Sequence, residues 1–185
     1  MIPGYCHVDH VSITVADLEK AVEFYRTVFG AQVAYRMGPF DAEEIPEMED
    51  GRDWTDAHVD VKGARLSICM LKLASNLMIE LFEYERGENQ RSDPPRNCDI
   101  GGHHLAFKVE NIEKAVAYLE EQGCTAMAGP IVMDEGPTVG SRAQYLRDPF
   151  GNYMELMEYS EQGFMADTGV YPYGTTAHAT TKEAS

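Results

Sequence analysis

The chain has 185 residues, 15 basic and 31 acidic, for a formal net charge of −16, and 44% of it is hydrophobic. That length buries a sizeable core as one domain or as two small packed modules, while the acidic surplus repels nucleic-acid backbones and anionic lipid surfaces. No apolar run reaches the roughly 18 residues of a membrane helix and no charged-then-apolar leader precedes the first strand, so a soluble cytoplasmic protein with neither nucleic-acid nor membrane partners is expected.

Residues 10–15 set apolar Val11, Ile13 and Val15 against His10, Ser12 and Thr14, the alternation of a half-buried strand. Asp17 can cap a helix whose stripe is Leu18, Ala21, Val22, Tyr25 and Phe29, with Gly30 just past its end. Strands are predicted at 32–36, 64–73 and 76–84, the last two joined by a turn at Ala74-Ser75, giving the order βαβββ. Residues 86–100, with Pro94-Pro95, read as a linker. The order then repeats: a strand at 104–109, Asn111 as cap, a stripe of Ile112, Ala115, Val116 and Leu119, a stop at Gly123, and strands near 124–131, 143–147 and 152–159. The last two flank the turn Asp148-Pro-Phe-Gly-Asn152. Residues 160–185 read as an extended tail. The predicted organisation is a first module over 1–85 with an insertion at 37–62, the linker, a second module over 101–159, and the tail. Cys6, Cys69, Cys98 and Cys124 lie far apart without C-x-x-C spacing, which argues against a zinc ribbon or disulfide framework and fits reduced thiols.

The repeat is explicit in the residues. His10-Val-Ser-Ile-Thr-Val-Ala-Asp-Leu-Glu-Lys-Ala-Val22 recurs as His104-Leu-Ala-Phe-Lys-Val-Glu-Asn-Ile-Glu-Lys-Ala-Val116, and Met78-Ile-Glu-Leu-Phe-Glu-Tyr84 as Tyr153-Met-Glu-Leu-Met-Glu-Tyr159. Each half opens with a His and closes with a Glu. His10, Glu80, His104 and Glu155 are therefore candidate ligands of one site at the repeat interface. Strand parity groups Glu80 with Met78 and Phe82, and Glu155 with Tyr153 and Met157. A carboxylate on the inner face of a sheet is costly unless bonded or coordinated. Two imidazoles and two carboxylates suit one divalent ion, Zn, Ni, Co, Mn or Fe(II).

Several further residues have two readings. Glu83 and Glu158 have the opposite parity and read as solvated edges. Arg36, Arg65 and Arg142 could meet an anionic substrate group or pair with acids. Residues 136–142 could be a flap or a plain connection, and Met70, Met78, Phe82, Tyr145, Tyr153 and Met157 could line a cup or belong to the core. His103 points away from His104 by alternation, and His58 is a minor ligand candidate. The His-to-Glu span is 70 positions in the first half and 51 in the second, and most of the 19 extra residues fall in 37–62, expected to form a short helix or lid.

The strings Asp9-His10-Val-Ser-Ile-Thr-Val15, Phe24-Tyr25 with Phe29-Gly30, His104-Leu-Ala-Phe107 and Asp148-Pro-Phe-Gly-Asn-Tyr-Met-Glu155 make residues 7–159 resemble the vicinal oxygen chelate superfamily, which includes glyoxalase I, methylmalonyl-CoA epimerase, extradiol dioxygenases and the bleomycin and fosfomycin resistance proteins. The resemblance implies an α+β fold of paired βαβββ modules forming a cup-shaped mixed sheet, helices outside, around one divalent metal held by His10, Glu80, His104 and Glu155. It also implies a small-molecule substrate, and a homodimer is expected. A fourth ligand at Glu80 favours a glyoxalase-like lyase or isomerase that abstracts a proton beside a carbonyl on the metal, with Glu155 or Glu80 as the catalytic base. Arg65, Leu66, Ser67 and Ile68 contain no carboxylate where methylmalonyl-CoA epimerase carries an additional acid, which counts against a two-base epimerase of that pattern. The alternatives are an Fe(II) extradiol dioxygenase, which resembles this chain at His10, His104 and Glu155, and a small-molecule binding or resistance protein without turnover.

Overall fold

A computed structural model describes residues 2–75 and 77–160. The chain divides between Pro94 and Pro95 into two compact units. The expected tail, from 161 on, lies outside the described residues. Among the described residues, no helix is long and apolar enough to cross a membrane.

The first unit contains β1 (Val11–Thr14), α1 (Leu18–Phe29), β2 (Gln32–Asp41), α2 (Trp54–Val59), β3 (Arg65–Leu73) and β4 (Leu77–Arg86). Its mixed sheet has the order β1-β4-β3-β2, with β1 parallel to β4 and the other pairs antiparallel. Alternation sorts the faces: Ile13, Cys69, Leu71, Ile79 and Leu81 are buried on one side, where α1 packs with Leu18, Ala21, Val22 and Tyr25. Asp17 caps α1 by accepting the Lys20 N–H, and Gly30 closes it in the left-handed region at φ 68°.

The second strand is longer than expected. Gly38-Pro39 is not an end but a bulge, where Met37 faces Ile68 and Phe40 faces Leu66. Gly38 sits at φ 99°, and a Cβ there would lie 2.8 Å from the Leu66 carbonyl oxygen, so only glycine lets the strands close. The insertion therefore begins after Asp41. It contains the expected short helix, α2, and is tied at its base. The Ala42 N–H donates to the Ala64 carbonyl at 2.9 Å, the Gly63 N–H to Asp53 at 2.9 Å, and the Ala64 N–H to the fully buried Thr55 hydroxyl at 3.1 Å. Asp41, itself buried, accepts from Arg65 and Arg86 across the same junction.

The second unit contains β5 (His104–Lys108), α3 (Ile112–Glu121), β6 (Thr125–Ala126), β7 (Ile131–Val132), β8 (Arg142–Arg147) and β9 (Tyr153–Glu158). The sheet order is β5-β9-β8-β6, β5 runs parallel to β9, and β7 also pairs with β8. The single strand expected near 124–131 is thus two short pairings. Pro130 has no N–H to donate and Gly129 sits at φ 156°, which interrupts the ladder. The buried Gln144 amide fills the break by donating to the Met127 carbonyl at 2.7 Å. The Asp148 carboxylate accepts the N–H groups of Phe150 and Asn152 and shapes the β8–β9 turn.

Three further expectations are resolved. Glu83 and Glu158 are not solvated edges: they accept the backbone N–H of Leu18 (2.9 Å) and of Ile112 (2.7 Å), the first residues of α1 and α3. Opposite parity from Glu80 and Glu155 puts them on the helix side, where a carboxylate meets the positive end of a helix. Arg36 pairs with Glu19, Arg65 with Asp41 and Glu85, and Arg142 with Glu113 and Glu158, so all three serve acids of the chain. Segment 136–142 is a pinned connection, with Gly140 N–H on Met133 O at 2.7 Å, Met133 N–H on Ser141 O at 2.9 Å, and Ser141 fully buried.

Candidate metal centre

In the first unit the parallel register sets Ser12 beside Glu80. His10 lies two residues before Ser12 and shares its face, and its Nε2 stands 3.2 Å from Glu80 Oε2. The other ring nitrogen, Nδ1, is 2.7 Å from Asp9 Oδ2. The imidazole is thus held between two carboxylates. The Asp9 hydrogen bond is the main cause that raises the His10 pKa; desolvation opposes it and the charge of Glu80 adds to it. A carboxylate behind a ligating histidine also fixes its tautomer and orientation.

The second unit repeats the arrangement. Ala106 lies beside Glu155 in the parallel register, and His104 Nε2 stands 3.1 Å from Glu155 Oε2. The exposures match as well: the histidines are 35% and 33% exposed, and both glutamates 15%. What surrounds the two pairs differs. The position corresponding to Asp9 is His103, whose Nδ1 lies 3.2 Å from the Gly101 carbonyl oxygen. Tyr145 stands opposite Glu155 between β8 and β9, hydrogen-bonds its carboxylate, and packs edge-on against the His104 ring at 5.1 Å. Burial first, and then Glu155, push the Tyr145 phenol up. The corresponding position in the first unit, opposite Glu80, is Met70.

The donor sets fit a divalent transition ion. Each unit offers an imidazole nitrogen and a carboxylate oxygen about 3 Å apart on one sheet face, and among the described residues no Lys or Arg forms a salt bridge with either glutamate. Among the described residues, neither unit gathers three or more His, Cys, Asp or Glu side chains around one point, so within each unit the set consists of one His and one Glu. His58 stacks on Trp54 at 5.1 Å, in the insertion. A cavity of about 360 Å³ against α3, lined by residues such as Glu113, Ala117, Met127 and Gln144, contains none of the four candidate ligands. Reading the sequence missed the parts played by Asp9 and Tyr145. Adjacency to His10 was the available signal for the first, and the β8–β9 hairpin register for the second.

A family model described as Glyoxalase/Bleomycin resistance protein/Dioxygenase superfamily matches residues 7–156. The chain is 39% identical over 158 residues to a 2-epi-5-epi-valiolone epimerase of an Actinomyces species, covering 84% of this chain and 81% of that protein. It is 30% identical over 156 residues to lactoylglutathione lyase of Schizosaccharomyces pombe, covering 83% of this chain but 48% of the yeast enzyme. It is 30% identical over 115 residues to human mitochondrial methylmalonyl-CoA epimerase, covering 62% and 53% of the two chains. The chain thus spans about half the length of the last two. Among solved structures, a glyoxalase family protein from Bacillus cereus aligns with a TM-score of 0.64 at 20% identity, over 86% of this chain and 98% of that one. At that identity the likeness speaks for the fold. The strand order, the repeated His/Glu pair and the match over residues 7–156 show that this chain belongs to the Glyoxalase/Bleomycin resistance protein/Dioxygenase superfamily.

Proposed function

We propose that the protein is a divalent-metal-dependent isomerase that inverts a carbon next to a carbonyl in a small hydroxylated ring ketone. The observation that carries this reading is the repeated Nε2···Oε2 pair, His10 with Glu80 and His104 with Glu155, at equivalent positions of the duplication. The epimerase relative, 39% identical over most of both chains, supports isomerisation over lysis and suggests the substrate class. His10, Glu80, His104 and Glu155 would hold one ion. When bound, such an ion polarises a carbonyl and lowers the cost of negative charge on its oxygen.

The chain's own residues do the rest. Glu155 takes the proton from the carbon beside the carbonyl, oriented by the Tyr145 hydroxyl and the edge of that ring against His104. A proton delivered from water through Glu80 to the opposite face of the same carbon gives the epimer, and Glu155 releases the proton it took to water, which restores both carboxylates. Asp9 keeps the His10 ring turned toward Glu80. Glu80 as a fourth donor disfavours ring cleavage by Fe(II), which needs open positions for oxygen and catecholate.

The test is proton–deuterium exchange in D2O. Metal-loaded protein should incorporate deuterium at the carbon next to the carbonyl of hydroxylated ring ketones and scramble its configuration, and chelation should stop this. Metal analysis should find one ion per four-ligand set, lost in Glu80→Ala. Absence of exchange across a broad panel of hydroxy ketones, with metal bound, would sink the reaction class.

A further inference from the structure

The insertion at 42–63 distinguishes the first unit from the second, and it folds onto the sheet face that carries Glu80. On β4, Glu80, Phe82 and Tyr84 alternate with the helix-side residues and so share that face. On β3, Leu66 lies opposite Tyr84 and Ile68 opposite Phe82. Phe40, Val61, Phe82 and Tyr84 all pack on the buried group Ala64, Leu66 and Ile68. The Phe82 and Tyr84 rings stack at 5.7 Å with 15° between their planes, and Phe40 in turn packs against Trp54 of α2 at 5.4 Å. Two aromatic pairs, joined through Leu66 and Ile68, thus extend an apolar surface from a point two residues along β4 from Glu80, roughly 7 Å, out to the insertion helix.

Three observations separate this wall from ordinary core. Phe40, Trp54, Phe82 and Tyr84 all keep part of their surface open, whereas Leu66 on the same face and Ile79 and Leu81 on the helix side are at most 1% exposed. Burial raises the Tyr84 phenol and the charge of Glu80 raises it further, which places this ring within electrostatic reach of the candidate site. The base of the insertion is held rigidly by Asp53, Thr55 and the Asp41 arginine pairs. Phe40 and Trp54 are therefore presented in fixed positions.

We infer that Phe40, Trp54, Phe82 and Tyr84 form a substrate subsite, in which the carbon-bound face of a hydroxylated ring ketone lies on the aromatic wall while its carbonyl end faces Glu80. The inference rests on the proposed role of Glu80. Partly open aromatic rings present apolar area at low entropic cost, and a ring substrate whose hydroxyls are equatorial offers a flat C–H face of matching size. An acyclic hydroxy ketone lacks that face.

Trp54 is the only tryptophan in the chain, so the subsite carries its own reporter. The metal-loaded full chain is titrated with 2-keto-myo-inositol, as a ring probe, and with dihydroxyacetone, as an acyclic one. Both Trp54 emission and deuterium exchange are followed. The subsite requires a saturable emission change with the ring probe only. Phe82→Leu, which keeps an apolar residue on the packed cluster, should raise the half-saturating concentration of the ring probe about tenfold, equivalent to the ~1.4 kcal/mol of a ring contact, with metal content unchanged. Trp54→Ala should act in the same direction, and Trp54→Phe should restore much of the loss. Exchange that saturates without any change in emission, or with unaltered half-saturation in Phe82→Leu and Trp54→Ala, overturns the subsite and leaves the isomerase reading standing. Saturable emission without exchange overturns the reaction while leaving the wall as a ring-binding surface. No response of either kind overturns both.

Discussion

The Glu83 carboxylate accepts the backbone N–H of Leu18, 65 positions earlier in the chain, at 2.9 Å, and Glu158 does the same for Ile112 at 2.7 Å. Each duplicated strand therefore carries two glutamates three residues apart, one facing the candidate site and one anchoring the helix on the other face. Their functions should separate cleanly. Glu83→Ala and Glu158→Ala should each lower unfolding stability by about 1–2 kcal/mol, the scale of a charged group at a helix N-terminus, and leave metal affinity at the wild-type value. Denaturant unfolding alongside metal titration decides this, and a variant that keeps its stability but loses metal would contradict the assignment.

Asp9 should matter to metal binding although it is no candidate ligand. Its hydrogen bond to His10 Nδ1 orients the imidazole toward Glu80, and outer carboxylates of this kind are worth about 10–100-fold in metal affinity. Because Asp9 is 79% exposed, the lower end applies. Competition titration with a chelating dye should show Asp9→Asn binding metal about tenfold more weakly, with unchanged thermal stability in the metal-free protein.

The insertion should open in acid before the rest of the chain. Asp53 is held at about 2, against an ordinary value of 3.8, chiefly by the Asp56 N–H, with the Thr55 hydroxyl and the Gly63 N–H adding. A carboxyl whose folded value is depressed contributes stability that is fully present above its unfolded value and is lost as the pH falls through the folded one. The window therefore runs from roughly pH 4 down to pH 2. Trp54 emission should change across it while far-ultraviolet circular dichroism keeps its strand signal, and Asp53→Asn should remove this early transition.

The four free thiols should divide in two. Cys6 and Cys98 are exposed, Cys69 and Cys124 buried. Burial, aided by Asp148, pushes Cys124 up to about 11, and burial also raises Cys69. Thiolate is the reactive form. A chromogenic disulfide reagent at pH 8 should titrate two thiols quickly in the native protein and four after denaturation. Rapid reaction of all four would mean that the core is open both around β3, at Cys69, and between α3 and β6, at Cys124.

Much of the architecture is legible because it is local. Alternation at 10–15, the Asp17 and Asn111 caps, and Gly30 act within a few residues, and each appears in the structure where the pattern placed it. The pairing of His10 with Glu80, and of His104 with Glu155, was legible because duplication writes the same long-range contact twice. What escaped is non-local and written once or differently in the two halves. The Glu83 and Glu158 parity was readable, yet their partners lie 65 and 46 positions away on helices. Tyr145 and Met70 occupy matching places opposite the two glutamates, but one is a phenol and the other a thioether. The extent of β2 was hidden by Gly38-Pro39, two residues that more often end a strand than bend it.

The parallel pairing of β1 with β4, and of β5 with β9, means that each half closes by bringing its two ends together. The entropy of closing a chain grows only with the logarithm of its length. Lengthening the circuit from the 51 positions between His104 and Glu155 to the 70 between His10 and Glu80 adds about 0.3 kcal/mol. A segment inserted between β2 and β3 is therefore nearly free to lengthen, shorten or change its side chains while the two donors at the circuit's ends stay where they are. One half can therefore change this segment at little cost in its own stability, while the other keeps the shorter connection between its His and its Glu.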